Sequence, residues 1–140
     1  MVIARGVLSG LTGAVLLGIF LKAAEVLASV KVYTLLLNVD FLYPFPLPEW
    51  VEFIIHLGTG AGIGAMYSLL VHLFSRRLFF TAALSAFAGL LYFPLSIAAK
   101  KEVPAITDGT AILYWAAGHL LFGAAMFAMY NLLFKKTTAS

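Results

Sequence analysis

Long apolar blocks separated by short polar segments run through the whole chain. Four of these blocks are long enough to cross a bilayer, which takes about 20 helical residues. We predict membrane spans near Val7–Ser29, Trp50–Phe74, Leu78–Ala99 and Ala111–Phe134. The first block is longer than the roughly 7–15-residue apolar core of a signal peptide, so we interpret it as a span. The pattern predicts an all-α integral membrane four-helix bundle that forms a single domain over residues 1–140.

One stretch of fifteen residues occurs twice without a gap. It begins at His56 and again at His119, and nine of its fifteen positions are identical in the two copies. Shared apolar residues are common between spans, but a shared His, Gly and Tyr in one register indicates a duplication. We therefore predict two helical-hairpin repeats, about 1–75 and 76–140. Because spans two and four run in the same direction, the repeats are expected to be parallel, related by a pseudo-two-fold axis along the membrane normal.

Small residues and prolines predict how the spans pack. Span one carries small residues at four-residue spacing, which let another helix backbone approach closely in lipid; they are Gly6, Gly10, Ala14 and Gly18. Pro94 lies within span three and is expected to kink it, with neighbouring groups satisfying the freed backbone acceptor. Residues 31–49 contain three alternating prolines, so we expect an extended segment there that caps the outer face.

Composition supports the membrane assignment and sets a predicted orientation. The chain is 63% hydrophobic and 11% charged, and it has no cysteine, which excludes disulfides and thiolate metal sites. The net charge of +3 forms no patch suited to nucleic acid. One side of the four spans carries most basic residues, which predicts cytoplasmic termini by the positive-inside rule; these residues are Arg5, Arg76, Arg77, Lys135 and Lys136. Lys31, Lys100 and Lys101 on the other side weaken this bias.

Ionisable residues within spans are rare and usually functional. Lys22 and Glu25 lie one turn apart near the outer end of span one. Two interpretations follow: Lys22 extends outward and pairs with Glu25, or both face the bundle interior as part of a polar pocket. The further candidates for such a pocket are Glu52, Tyr67 and Tyr130.

The two histidines carry the candidate chemistry. If the repeats are related by an axis, His56 and His119 lie at one depth and point at a shared centre. Two facing imidazoles suit haem b, with Gly60 and Gly123 leaving room for the macrocycle and Lys22 meeting a propionate. They also suit a metal, proton or small-ligand site, although two histidines are fewer than the four ligands of structural zinc. A hydrogen-bonded pair that only holds two helices together is the simplest alternative.

The segments GHLLFGAAMFAMY (Gly118–Tyr130) and HLGTGAGIGAMY (His56–Tyr67) carry a family resemblance. With the glycine-rich first span and its Lys and Glu, they resemble a group of small four-span prokaryotic membrane proteins, the YagU-like proteins. The chain lacks the tryptophan associated with the Lys/Glu stretch of that group. The resemblance implies a multi-pass protein of a prokaryotic cytoplasmic membrane and no particular chemistry.

Three functions follow as hypotheses. The first is a non-enzymatic accessory or assembly subunit that packs through small-residue helix faces, as a homo-oligomer or within a larger membrane complex. The second is an electron-transfer subunit that holds one haem between His56 and His119. The third is a carrier of a small ligand, ion or proton that acts as an oligomer. No nucleophile frame such as Gly-x-Ser-x-Gly surrounds any serine, so the sequence does not indicate an enzyme.

Overall fold

Helices account for nearly the whole structure. The computed structural model describes residues 1–138, with side chains up to Lys135, so the side chain of Lys136 lies outside the described part. The helices are α1 (Val2–Ala28), α2 (Val32–Leu36), α3 (Glu49–Phe74), α4 (Arg77–Leu90), α5 (Tyr92–Ala98) and α6 (Gly109–Thr138). No strand occurs in the part of the chain that the structure describes, which confirms the all-α prediction.

Four helical segments are long and apolar enough to cross a membrane. They are Val2–Ala28, Glu49–Phe74, Arg77–Ala98 and Gly109–Lys135, each within a few residues of a predicted span. Together they indicate a multi-pass membrane protein. We call the bundle end with the 29–48 and 99–108 connections the loop end, and the opposite end the termini end. At the termini end the Arg77 guanidinium lies over the Phe134 ring at 4.3 Å and Arg5 at 5.7 Å.

Helix α1 occupies the centre of the packing, because it runs along both α3 and α6. Its contact with α3 is a close approach of two backbones at the predicted small-residue row. A Cβ on Gly10 would overlap the carbonyl oxygen of Gly60, and one on Gly64 would overlap that of Gly6. On the α6 side, a Cβ on Gly13 would lie only 2.8 Å from the Phe122 carbonyl oxygen. Close van der Waals contact thus holds α1 between its two neighbours.

The predicted kink in span three is confirmed. Helix α4 ends at Leu90 and α5 begins at Tyr92. Pro94 explains the break, because its ring clashes with the carbonyl four residues earlier and it has no N–H to donate. Two side chains from other elements satisfy carbonyls around the break: Trp115 Nε1 donates to Gly89 O at 2.8 Å, and Asn38 Nδ2 donates to Leu95 O at 2.9 Å.

Polar contacts join the connections at the loop end. The Asp40 carboxylate accepts hydrogen bonds from the backbone N–H groups of Lys100, at 2.8 Å, and of Lys101, at 3.2 Å. Lys101 Nζ lies 2.6 Å from Glu52 Oε1 on α3. A second ion pair joins Lys31 to Glu102. The two connections and the start of α3 therefore form one cap, which we call the loop cap.

Candidate functional site

Both candidate histidines lie in the wall of one cavity beneath the loop cap. The cavity measures about 150 Å³. His56 comes from α3 and His119 from α6, and Leu17 of α1 also lines the cavity. The first connection contributes Asn38, Val39, Phe41 and Leu42 to the wall, and the remaining walls are mostly apolar. Its size corresponds to one small ring, since a cavity of about 150 Å³ holds benzene.

Hydrogen bonds define which ring nitrogen of each histidine remains available. His56 Nε2 lies 3.0 Å from Ala14 O, and His119 Nδ1 lies 2.9 Å from Trp115 O. A carbonyl oxygen can only accept, so each of these nitrogens carries the hydrogen and donates. In the neutral rings, His56 Nδ1 and His119 Nε2 therefore keep their lone pairs. The site offers two hydrogen-bond acceptors held in fixed rings.

Aromatic rings hold the two imidazoles in place. The Trp115 and His119 ring centroids are 4.6 Å apart, and Tyr92 packs edge-on against Trp115 at 5.8 Å. On α3, Phe53 lies 5.9 Å from His56. Trp115 is itself fixed by its bond to Gly89 O, so the His119 ring stacks against an anchored neighbour.

Glu52 is the third titratable residue that borders the cavity. Its side chain is only 9% exposed, and the charge of Lys101 balances it across the 2.6 Å ion pair. The cavity wall therefore presents no unpaired carboxylate. Among the described residues, no group of three or more possible ligands could hold a metal ion.

The proposed polar pocket does not form as one unit. The expected Lys22–Glu25 pair is wrong: Lys22 Nζ contacts Glu49 at 3.1 Å, and the Glu25 carboxylate accepts from the backbone N–H and the hydroxyl of Thr34. Geometry explains the change, since α2 folds back over the end of α1 and brings Thr34 to Glu25. Tyr67 and Tyr130 lie nearer the termini end, with their ring centroids 5.1 Å apart.

Tyr33, in the loop cap, should make the stability of the protein depend on pH. Its hydroxyl donates to Glu49 Oε1 at 3.3 Å, and burial together with the Glu49 charge raises its pKa to about 12. In the unfolded chain the same group ionises near pH 10. A raised folded-state pKa means that the stabilisation is complete below pH 10 and is lost as the pH rises from 10 toward 12.

We expect the Tyr33 hydroxyl to ionise near pH 12 when the folded protein is titrated by ultraviolet absorbance of tyrosinate. The difference between the titrations of wild type and Tyr33→Phe should therefore be one tyrosinate that appears near pH 12, and the variant should lose less stability between pH 10 and 12. A difference that appears near pH 10 instead would contradict the assignment.

The two glycines proposed to make room for a cofactor instead accommodate neighbouring helices. A Cβ on Gly60 would overlap the Cβ of Ala14, and one on Gly123 would overlap Ser85 Oγ. Haem fits these residues poorly for three reasons. The cavity is below the roughly 300 Å³ at which ligand pockets usually start, the glycines leave no free slot, and His56 Nε2 is bound to Ala14 O.

Sequence reasoning missed the residues that orient the histidines. Trp115 lies one turn before His119, and that four-residue spacing was a usable signal. Ala14, whose carbonyl oxygen binds His56, had no such signal, since it is one of several small residues of its span. The third histidine, His72, is exposed near the termini end of α3 and does not border the cavity.

Comparison of the chain with protein-family models, with curated proteins and with solved structures gives no match. The resemblance to the YagU-like group therefore stays a prediction.

Proposed function

We propose that this chain is a membrane protein that binds a small, neutral, ring-sized molecule between His56 and His119. The observation that carries the proposal is the placement of both imidazoles in the wall of one cavity of about 150 Å³. A mostly apolar pocket with a few fixed polar groups is the usual form of a small-molecule site. This role corresponds to the small-ligand carrier among the three hypotheses.

The chemistry of the free polar atoms narrows the ligand. His56 Nδ1 and His119 Nε2 accept hydrogen bonds, so the ligand should donate one from a hydroxyl or N–H group. Asn38 is already engaged, because its Nδ2 donates to Leu95 O and its Oδ1 accepts from the Asp40 N–H. Glu52 is neutralised by Lys101. A charged ligand would have no unpaired opposite charge to meet, so a neutral molecule is favoured.

Two further parts of the proposal concern architecture. The duplication is supported by the meeting of equivalent residues across the bundle: His56 with His119 at one cavity, and Tyr67 with Tyr130 in one ring contact. Placement of both termini on the cytoplasmic side is supported by the basic residues grouped at the termini end, and location in a prokaryotic cytoplasmic membrane stays a prediction.

The other hypotheses receive less support. An accessory subunit was expected to dock through small-residue faces, but the Gly6–Gly10 and Gly60–Gly64 faces are used within the chain. Assembly into a homo-oligomer or a larger complex stays a prediction. A haem-bearing subunit is disfavoured by the size of the cavity and the engaged His56 Nε2.

Iodophenol quenching of tryptophan fluorescence tests the proposal. The chain has two tryptophans: Trp115 borders the cavity, and Trp50 is 66% exposed. In Trp50→Phe, 4-iodophenol should quench Trp115 saturably, and phenol should compete. In Trp115→Phe, quenching of Trp50 should rise without saturation.

A change at one histidine tests the polar contact separately. His119→Leu should weaken 4-iodophenol binding about fivefold, the equivalent of one net hydrogen bond of about 1 kcal/mol. It should leave iodobenzene, which lacks the hydroxyl, nearly unchanged. Unsaturable quenching at both tryptophans, or equal effects on the two probes, would refute the proposed site.

A further inference from the structure

A second space lies on the outside of the bundle, between α4 and α6. It is a groove of about 760 Å³, and its walls are almost entirely apolar. Alanines leave it open along both helices; Ala82 and Ala86 lie on α4, and Ala116 and Ala124 on α6. All four are exposed on the outer face of the bundle, so in a bilayer the groove opens toward the acyl chains.

The groove and the inner cavity share part of their walls. Trp115 and His119 line both spaces. Gly89 of α4 faces His119. A Cβ added to Gly89 would lie 3.8 Å from His119 Cβ, which is an ordinary van der Waals contact. His119 and Trp115 therefore form the wall that the cavity and the groove share, and rotation of the His119 ring away from Trp115 O would join the two spaces.

Ser85 adds a polar group that the protein leaves unused. Helical Ser9, Thr12, Thr59 and Thr81 each donate to the carbonyl four residues earlier. The Ser85 hydroxyl is buried at the floor of the groove beside Gly123 and has no hydrogen-bond partner among the described residues. Buried hydroxyls are nearly always satisfied, so this one points to a ligand that meets it.

Toward the loop end, Phe41 and Leu42 of the connection after α2 form part of the cavity wall. The contacts of Asp40 and Lys101 fasten this part of the loop cap to the rest of the protein. On the other side, the Trp115 and His119 side chains lie between the cavity and the groove that faces the bilayer.

From these observations we propose that the ligand is a lipid-soluble alcohol or phenol with an apolar tail. Its ring-sized head lies in the cavity against His56 and His119, its tail lies in the groove, and an oxygen at the start of the tail accepts a hydrogen bond from Ser85 at the floor of the groove. The ligand enters sideways from the bilayer, past His119. This inference rests on the proposed function and specifies its ligand class.

The test compares a head without a tail to the same head with one. Phenol and 4-decylphenol compete with 4-iodophenol for quenching of Trp115 in Trp50→Phe, in nanodiscs, with affinities expressed as mole fractions in the bilayer. Because the tail gains close packing in the groove, 4-decylphenol should bind at least about tenfold tighter than phenol.

Neighbouring alanines on α6 provide a matched pair of variants. Ala116 lines the groove, whereas Ala117 is exposed outside it. Ala116→Phe should remove the advantage of 4-decylphenol and leave phenol binding intact, and Ala117→Phe should change neither. If phenol binds saturably, equal affinities of the two probes, or equal effects of the two variants, would overturn this inference. Absence of saturable phenol binding would instead refute the proposed cavity itself.

Discussion

Replacing Gly64 by leucine is expected to separate α1 from α3 and to lower the free energy of unfolding by about 3 kcal/mol or more. Any side chain at Gly64 overlaps the carbonyl oxygen of Gly6, and it lies against the backbone of Gly10 at 2.7–2.8 Å. A flexible neighbour could move aside, but a helix backbone cannot do so without shifting α1 as a whole. Since α1 also packs against α6, the shift would disturb both of its interfaces.

Gly62 provides the control for this change. It lies on the same helix two residues away, and no atom lies within 4 Å of the position its Cβ would take. Gly62→Leu should leave stability unchanged or raise it by up to about 1 kcal/mol, because glycine is a poor helix former. Unfolding by a denaturing detergent measures both variants. Equal losses of stability would contradict the assigned α1–α3 interface.

The second large effect is expected at the loop cap. Lys101→Met leaves the Glu52 carboxylate, which is 9% exposed, without its partner 2.6 Å away. Removing one member of a buried ion pair lowers the free energy of unfolding by about 3–5 kcal/mol. We expect a loss of about 3 kcal/mol, at the low end of that range, because the Lys101 side chain is 29% exposed. Adding Glu52→Gln to Lys101→Met should restore most of the loss, since no charge is then left unpaired.

Lys31 and Glu102 form an ion pair of the same length in an exposed setting. Their atoms are also 2.6 Å apart, but the side chains are 46% and 85% exposed. Lys31→Met should lower the stability far less than Lys101→Met does, because solvent screens an exposed pair. A comparable loss in Lys31→Met and Lys101→Met, measured by the same unfolding assay, would show that burial of Glu52 does not matter.

The features that could be predicted from the sequence are those set by local chemistry. Span length follows from apolar run length, the break after Leu90 follows from Pro94, and the α1–α3 contact follows from glycines at four-residue spacing. Each depends on the residue itself or on a repeat along one helix. The contacts at the loop end depend instead on how separate segments of the chain fold together. Lys22 met Glu49 instead of Glu25 because α2 and the connection after it determine which carboxylates come near.

The candidate site, too, could be predicted from the sequence only in part. The stretch of fifteen similar residues predicted that His56 and His119 take equivalent positions on two spans, and the structure brings both to one cavity. Whether a flat cofactor fits beside the two histidines depends on what occupies the space at each glycine, namely Ala14 at Gly60 and Ser85 at Gly123. Ala14 belongs to α1 and Ser85 to α4, so residue spacing within α3 or α6 does not predict these contacts.

The most direct test of the central claim is the position of iodine in crystals grown with 4-iodophenol. If the histidines enclose a ligand site, anomalous scattering should show one strong iodine peak between the rings of His56 and His119, and it should disappear when phenol is added in excess. Iodine peaks only on the outer helix faces, with none between the two imidazoles, would contradict the account.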